Sequence, residues 1–319
     1  MTKYILNRLL IAIPTIFGVT VLIFLAMRVL PGDPLQLIFS ESTGIYVLSD
    51  EELAAARASL GLDRSYPLQY LDWMGDILSG DMGSSFWTKD PISAMLIRRG
   101  PISAQIALMA VLFSWLIGVP VGMLSAIRRN SLMDQLSRVG ITVFIAVPSY
   151  WLGLLIILFT VLTFSWRPPI TIIQLWEDPL GNLSMTLLPA LALGLPLAAA
   201  IARFARSAAL EVLYEDYIRT ARAKGLTDHL VIWRHVFKNA MLPVVTTTGL
   251  ALGGLLGGAV SVEKAFAVPG LGSLLVQGLT ERDWMMIQNL VLIYGLIYIF
   301  VNLIVDISYA FLDPRIRYD

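Results

Sequence analysis

The stretch PLGNLSMTLLPALALGLPLAAAIA, residues 179–202, contains no Asp, Glu, Lys or Arg in 24 consecutive positions. A helix needs about 20 predominantly apolar residues to cross a bilayer, so this stretch is long enough to span one. Five further runs lack all four charged residues: 9–27, 102–127, 139–166, 239–262 and 284–305. The 319-residue chain is 57% hydrophobic and only 14% charged, against the roughly 45–50% apolar content of soluble domains. The pattern predicts an all-α, polytopic membrane protein with six transmembrane helices. The first run follows a basic start (Lys3, Arg8). It exceeds the roughly 7–15 residues of a signal-peptide core and lacks a small-x-small cleavage site, so it is read as an uncleaved span.

Six spans place both termini on one side of the membrane. The segments 1–8, 128–138, 203–238 and 306–319 together hold 14 Lys+Arg against 8 Asp+Glu. The segments 28–101, 167–178 and 263–283 hold 9 against 15. Basic residues mark the cytoplasmic side, with long loops carrying little weight, so both termini are expected in the cytoplasm. Three parts follow: 1–30 with the first helix, an outer segment 31–101, and a core 102–319 carrying the other five helices and the cytoplasmic loop 203–238. The outer segment is expected to be part-helical. Ser49 and Glu52 form a capping box with Gly61 as the stop, and a second helix starts at Pro67 and ends near Gly80. It reads either as helices lying on the membrane face or as a docking surface for a soluble partner.

Several chemistries are excluded. None of the five lysines follows a glycine, and no cysteine is present, so a phosphate-binding P-loop and thiolate metal sites are ruled out. His229 and His235 are six apart, not the i,i+4 spacing of a zinc helix. No G-x-S-x-G elbow occurs. The acidic residue nearest to a span is taken to be Asp306. The sequence therefore predicts a protein that is not an enzyme, with no cofactor or metal of its own. An ion-coupled secondary transporter would call for carboxylates within its spans, and the six runs offer none; a membrane scaffold is the remaining alternative.

The loop 203–238 carries DYIRTARAKGL, residues 216–226, a dense polar stretch in an oily chain. A helix over 209–225 places Val212, Leu213, Tyr217, Ile218 and Ala221 on one face, with Glu215, Arg219 and Arg222 on another. Glu215 is spaced to pair with Arg219. Gly225 closes the helix by adopting φ > 0, and a second helix leads to Pro243. Such an element lies on lipid or presses into a protein groove; the small residues Thr220, Ala221, Ala223 and Gly225 favour the groove.

These residues resemble a known family. EDYIRTARAKGL followed by NAMLPVV is similar to the cytoplasmic signature of permease subunits in ATP-binding cassette importers. Arg219-Thr220-Ala221 stands where the general signature has Glu-Ala-Ala, while Gly225 and Leu242-Pro243 match it. The missing acid and longer gap are typical of the dipeptide, oligopeptide and nickel branch. PGDP (31–34), LGLD (60–63), GDMGSS (80–85), PGLGSLL (269–275) and NLIVDISYAFLDPRIR (302–317) agree with that branch along the whole chain. The resemblance implies a type I importer permease fold, the first of two paralogous permease chains, and a bacterial inner-membrane location. It also implies two ATP-binding cassette ATPase subunits that bind the ATP, and a periplasmic or lipid-anchored solute-binding protein. Asp216, Tyr217, Arg219, Thr220, Ala221, Arg222, Ala223, Lys224 and Gly225 would form the coupling helix that meets an ATPase subunit. The implied cargo is a short peptide, with glutathione, nickel or a metal chelate as alternatives.

Overall fold

The structure is a computed structural model that describes residues 2–29, 51, 54, 57–58, 62–169 and 171–312, with the side chains of 2–9, 250, 253, 256 and 306–312 outside the description. The described residues are helical, apart from connecting turns and one isolated bridge between Ser84 and Pro91. The helices are α1 (Thr2–Val29), α2 (Tyr66–Ser79), α3 (Ile92–Ile127), α4 (Leu132–Ala146), α5 (Ser149–Phe164), α6 (Pro179–Leu213), α7 (Asp216–Ala223), α8 (Asp228–Leu230), α9 (Lys238–Ala265), α10 (Leu271–Glu281) and α11 (Trp284–Leu312). A wide π-type segment, Val231–Phe237, joins α8 to α9. The Ser49–Glu52 capping box and Gly61 lie outside the described residues.

Every charge-free run is helical, apart from residues 147–148 and 165–166 of the run 139–166. Among the described residues, four helical stretches are long and apolar enough to cross a membrane by composition, Leu10–Val29, Ile92–Ile127, Pro179–Leu213 and Trp284–Val305, and the bent pair Leu132–Ala146 with Ser149–Phe164 makes a fifth if it is one span. The run 239–262 lies in α9, whose 28 residues extend about 42 Å at ~1.5 Å per residue. The run 139–166, expected to form one transmembrane helix, is divided. It belongs to α4 and α5, which meet at an angle of 105°. The cause is local. Pro148 has no N–H to continue α4 and pushes its predecessor out of the helical region; Val147 accordingly sits at φ −85°, ψ 123°.

The chain divides into two compact units. The larger comprises Met1–Ile5, Pro101–Ser273 and Phe300–Asp319. Its centre is α6, two thirds of whose most apolar window is buried. That helix buries a row of small residues, including Ala190, Gly194, Ala198, Ala202, Ala205 and Ala209. They let the helices come close, which is how membrane helices associate without a hydrophobic force between them. On α3, a Cβ added at Gly118 would stand 2.5 Å from the Ala198 carbonyl oxygen, and one at Gly122 would collide with Ala202. Ile102, Ile106 and Ala110 of α3, with Val244, Ala259 and Val262 of α9, complete this core. Trp115 Nε1 donates to Thr248 Oγ1 at 3.0 Å, fastening α3 to α9.

The smaller unit comprises Leu6–Gly100 and Leu274–Ile299. The helix expected from Pro67 to Gly80 is α2, with Pro67 in its first turn and Gly80 as a left-handed cap at φ 89°. Tyr70 and Trp73 of α2 pack on Phe24 of α1, with ring centroids 5.5 and 6.4 Å apart. Buried Asp283 accepts hydrogen bonds from Ser85 Oγ (2.6 Å) and the Phe86 amide (2.8 Å), while Trp87 Nε1 donates to the Glu281 carbonyl at 2.7 Å. These bonds pin the segment after α2 to the α10–α11 turn.

Candidate functional site

The signature stretch lies in the larger unit. The helix expected over 209–225 is interrupted. The Tyr214 and Glu215 amides close α6 on the carbonyls of Glu211 and Val212, and Glu215 is extended (φ −67°, ψ 143°) ahead of α7. Val212 and Leu213 therefore belong to α6 and not to the face of α7. The expected Glu215–Arg219 pair gives way to Arg219–Asp216 at 3.4 Å within α7, and Arg222 reaches Asp228 at 3.3 Å. Both pairs are exposed, and such pairs contribute about 0–1 kcal/mol.

Two residues seat α7 on the core. Ile218 is fully buried and Ala221 nearly so, both within the main apolar cluster. Ala221 thus faces inward, unlike the other residues expected to form the coupling helix. Asp216, Tyr217, Arg219, Thr220, Arg222, Ala223, Lys224 and Gly225 are exposed. Tyr217 was expected on the apolar side with Ile218; its ring is instead 42% exposed, and its hydroxyl accepts a hydrogen bond from Asn239 Nδ2 at 2.9 Å. The outward face carries both signs, with Arg219, Arg222 and Lys224 beside the exposed acids Glu215, Asp216 and Asp228. Such a face suits a polar groove of complementary charge.

The glycine does what the sequence expects of it. Gly225 has φ 80°, a region that a residue with a Cβ reaches only at a cost. The Gly225 amide bonds the Arg222 carbonyl at 2.9 Å, and the Leu226 amide bonds the Ala221 carbonyl at 3.3 Å. This is the Schellman pattern of helix termination. A Cβ at Gly225 would meet nothing within 4 Å, so the requirement for glycine is conformational and not steric. Beside α7 lies a cavity of about 400 Å³ whose walls include Arg129, Tyr214, Arg222 and Asp228. Arg129 Nη1 donates to the Tyr214 hydroxyl at 2.5 Å. Beyond it the chain re-enters the bundle: Val231 and Val236 are fully buried, and Pro243 falls inside α9 rather than at its start.

Among the described residues, three buried carboxylates escaped the sequence reading: Asp283, already placed, Asp134 and Glu263. Asp134 in the first turn of α4 receives Ser125 Oγ (2.5 Å), Arg206 Nε (2.8 Å) and Arg206 Nη2 (3.0 Å), tying α3, α4 and α6 together. Its signal was present as Ser131-x-x-Asp134, a helix-start pattern, and Ser131 does cap α4. Glu263, one residue beyond a charge-free run, is fully buried near the end of α9. It accepts from Ser103 Oγ at 2.6 Å and from the amides of Gly272 (2.8 Å) and Ser273 (3.2 Å), so it neutralises the start of α10. It displaces Asp306, whose side chain lies outside the described residues, as the acid to consider beside a span. Among the described residues, no group of three or more His, Cys, Asp or Glu could hold a metal.

Comparison with known proteins bears on this geometry. Residues 118–318 match the binding-protein-dependent transport system inner membrane component family, and residues 1–107 match its N-terminal companion. A protein of Brucella abortus (strain 2308) carrying the name of a peptide transport system permease is 38% identical over 323 residues, covering 100% of both chains. The glutathione transport system permease protein GsiC of Salmonella typhimurium is 38% identical over 318 residues, again covering 100% of both. Among solved structures, the inward-facing MetNI methionine ABC transporter aligns with a TM-score of 0.55 at 21% identity, covering 69% of this chain and 96% of that one. That likeness concerns the fold. The helical bundle, the signature loop with its glycine, and full-length identity to two permeases converge, and this chain belongs to the binding-protein-dependent transport system inner membrane components, the multi-pass permeases of ATP-binding cassette importers.

Proposed function

We propose that this permease carries short peptides inward, and that α7 is the element through which ATPase subunits drive it. The observation that carries this reading is the exposed charged face of α7, closed by Gly225 and seated on the core through Ile218 and Ala221. A short helix so held transmits a push into α6 and α9 instead of absorbing it. Short peptides are favoured as cargo because two full-length relatives are named for peptide and glutathione transport, and glutathione is itself a tripeptide. ATP hydrolysis belongs to separate subunits. The finer assembly is one paralogous permease, two ATPase subunits below, and a solute-binding protein above. ATP binding can bias one state only through different affinities for the two.

The test is assembly and rate. The chain, co-expressed with the second permease and the ATPase subunits, should purify as one complex whose ATP hydrolysis rises when peptide-loaded binding protein is added. Separate elution of the ATPases, or a rate indifferent to the binding protein, would remove this reading. Orientation has its own check, since the absence of cysteine permits single introductions. Ser79→Cys should react with an impermeant thiol reagent from outside, whereas Asn130→Cys and Ser207→Cys should not. Outside labelling at Asn130 would reverse the assignment of both termini to the cytoplasm.

A further inference from the structure

The smaller unit contains a cavity of about 330 Å³ walled by α1, α2, the segment after α2 and the start of α11. Three N–H groups on its lining residues, Arg28 Nη1, Trp73 Nε1 and Gln288 Nε2, have no acceptor among the described residues. Trp73 is 5% exposed and Gln288 1%. Buried donors are ordinarily satisfied, so three around one cavity call for an explanation.

Arg28 is held in place for such a role. Its Nη2 and Nε donate to Gln69 Oε1 at 3.1 and 3.4 Å, and its guanidinium lies 4.0 Å from the Phe24 ring centroid and 5.3 Å from that of Trp284. A guanidinium held beside two rings, with Nη1 left over, keeps donor capacity for a planar acceptor. Among the described residues no carboxylate lies within ion-pair distance of it. The acids on the lining are Asp72, committed to Arg64 at 2.8 Å, and exposed Asp76. A partly buried cation with no anion among the described residues, beside two unmet neutral donors, is complementary to one carboxylate. Asp76 at the exposed rim supplies the opposite charge that an ammonium requires.

We propose that this cavity binds a small zwitterion of amino-acid or dipeptide size, its carboxylate against Arg28, Trp73 and Gln288 and its ammonium toward Asp76. The three donor atoms are sealed beneath the cavity wall, so their side chains turn toward the ligand on binding, a rearrangement common at binding sites. The site is separate from α7, and it holds whether or not the chain's cargo is a peptide.

The full chain in lipid nanodiscs, without ATPases or binding protein, is titrated calorimetrically with Ala-Ala and with its C-terminal amide. Ala-Ala should bind saturably, and the amide about tenfold more weakly or worse, as expected for loss of a charge-assisted contact. Arg28→Gln should weaken Ala-Ala about tenfold by the same reasoning. Trp73→Phe keeps the ring packing, removes only the N–H, and should weaken binding several-fold while the chain stays folded; Arg167→Gln, exposed in the other unit, should change nothing. No saturable binding of Ala-Ala, equal binding of acid and amide, or wild-type binding by Trp73→Phe and Arg28→Gln together would overturn the site. Such a failure would leave the transport reading standing, because that reading is measured through ATP hydrolysis in the assembled complex.

Discussion

Gly225→Val should insert into the membrane, keep its helical content and lose transport. The residue sits at φ 80°, where a side chain with a Cβ costs about 1–2 kcal/mol, and a β-branched one at the upper end. Because a Cβ there would touch nothing within 4 Å, that cost is paid by the backbone alone. The helix end relaxes toward φ < 0, the Leu226–Ala221 bond is lost, and Lys224 and Arg222 are re-aimed. The chemistry sets an order. Gly225→Asn, which tolerates the left-handed region, should retain most transport, Gly225→Ala less, and Gly225→Val least. Arg222→Glu should act differently. Its pair with Asp228 is exposed, so stability should change by no more than about 1 kcal/mol. Reversing a charge on the docking face should weaken ATPase binding about tenfold, or ~1.4 kcal/mol. Uptake by whole cells and pull-down of the ATPase subunits report on both. If Gly225→Val and Arg222→Glu each transport and bind like the wild type, α7 is not the coupling element.

The second large effect lies in the core. In Gly122→Val the new side chain meets the Ala202 carbonyl and, at 2.8 Å, the Ala205 Cβ. The neighbours are backbone and a methyl with no rotamer to yield, so α3 and α6 must separate. Overpacking of this kind costs about 1–3 kcal/mol, and the loss extends to the small-residue contacts above and below. A thermal scan in detergent should show a lowered melting temperature and a reduced yield of folded protein. Gly140→Ala supplies the contrast: nothing lies within 4 Å of its Cβ in α4, and removing a mid-helix glycine should raise stability by roughly 0.5–1 kcal/mol. A Gly122→Val protein that melts with the wild type would mean that α3 and α6 are not in this close register.

Much of this was legible before any coordinates. Charge-free length located the long helices because hydrocarbon leaves the backbone no alternative to internal hydrogen bonding. Gly80 and Gly225 announced their helix ends because glycine alone occupies the left-handed region without strain. What was not legible depended on contacts between distant residues. Nothing in ITVFIAVPSYWLGLL fixes an angle of 105°, since proline within a span can also be tolerated as a kink. The break at Tyr214–Glu215 has no glycine or proline to mark it. The burial of Glu263 follows from Ser103, 160 positions away, and that of Ala221 from the bundle beneath it. Local spacing gave the faces of α7 only approximately, because Tyr217 is drawn outward to Asn239 by a hydrogen bond that no periodicity encodes.

The brevity of α7 has a thermodynamic consequence. Eight residues are too few to be helical by themselves in water, so α7 keeps its shape only while Ile218 and Ala221 are held by the bundle. Its helicity is therefore a reporter of the packed core, and the linkage runs both ways. Whatever grips α7 as a helix stabilises the core by the same free energy by which the core prepares α7 to be gripped, so hydrogen exchange at Val244 and Val262, deep in α9, should slow when a partner closes on a surface they never touch.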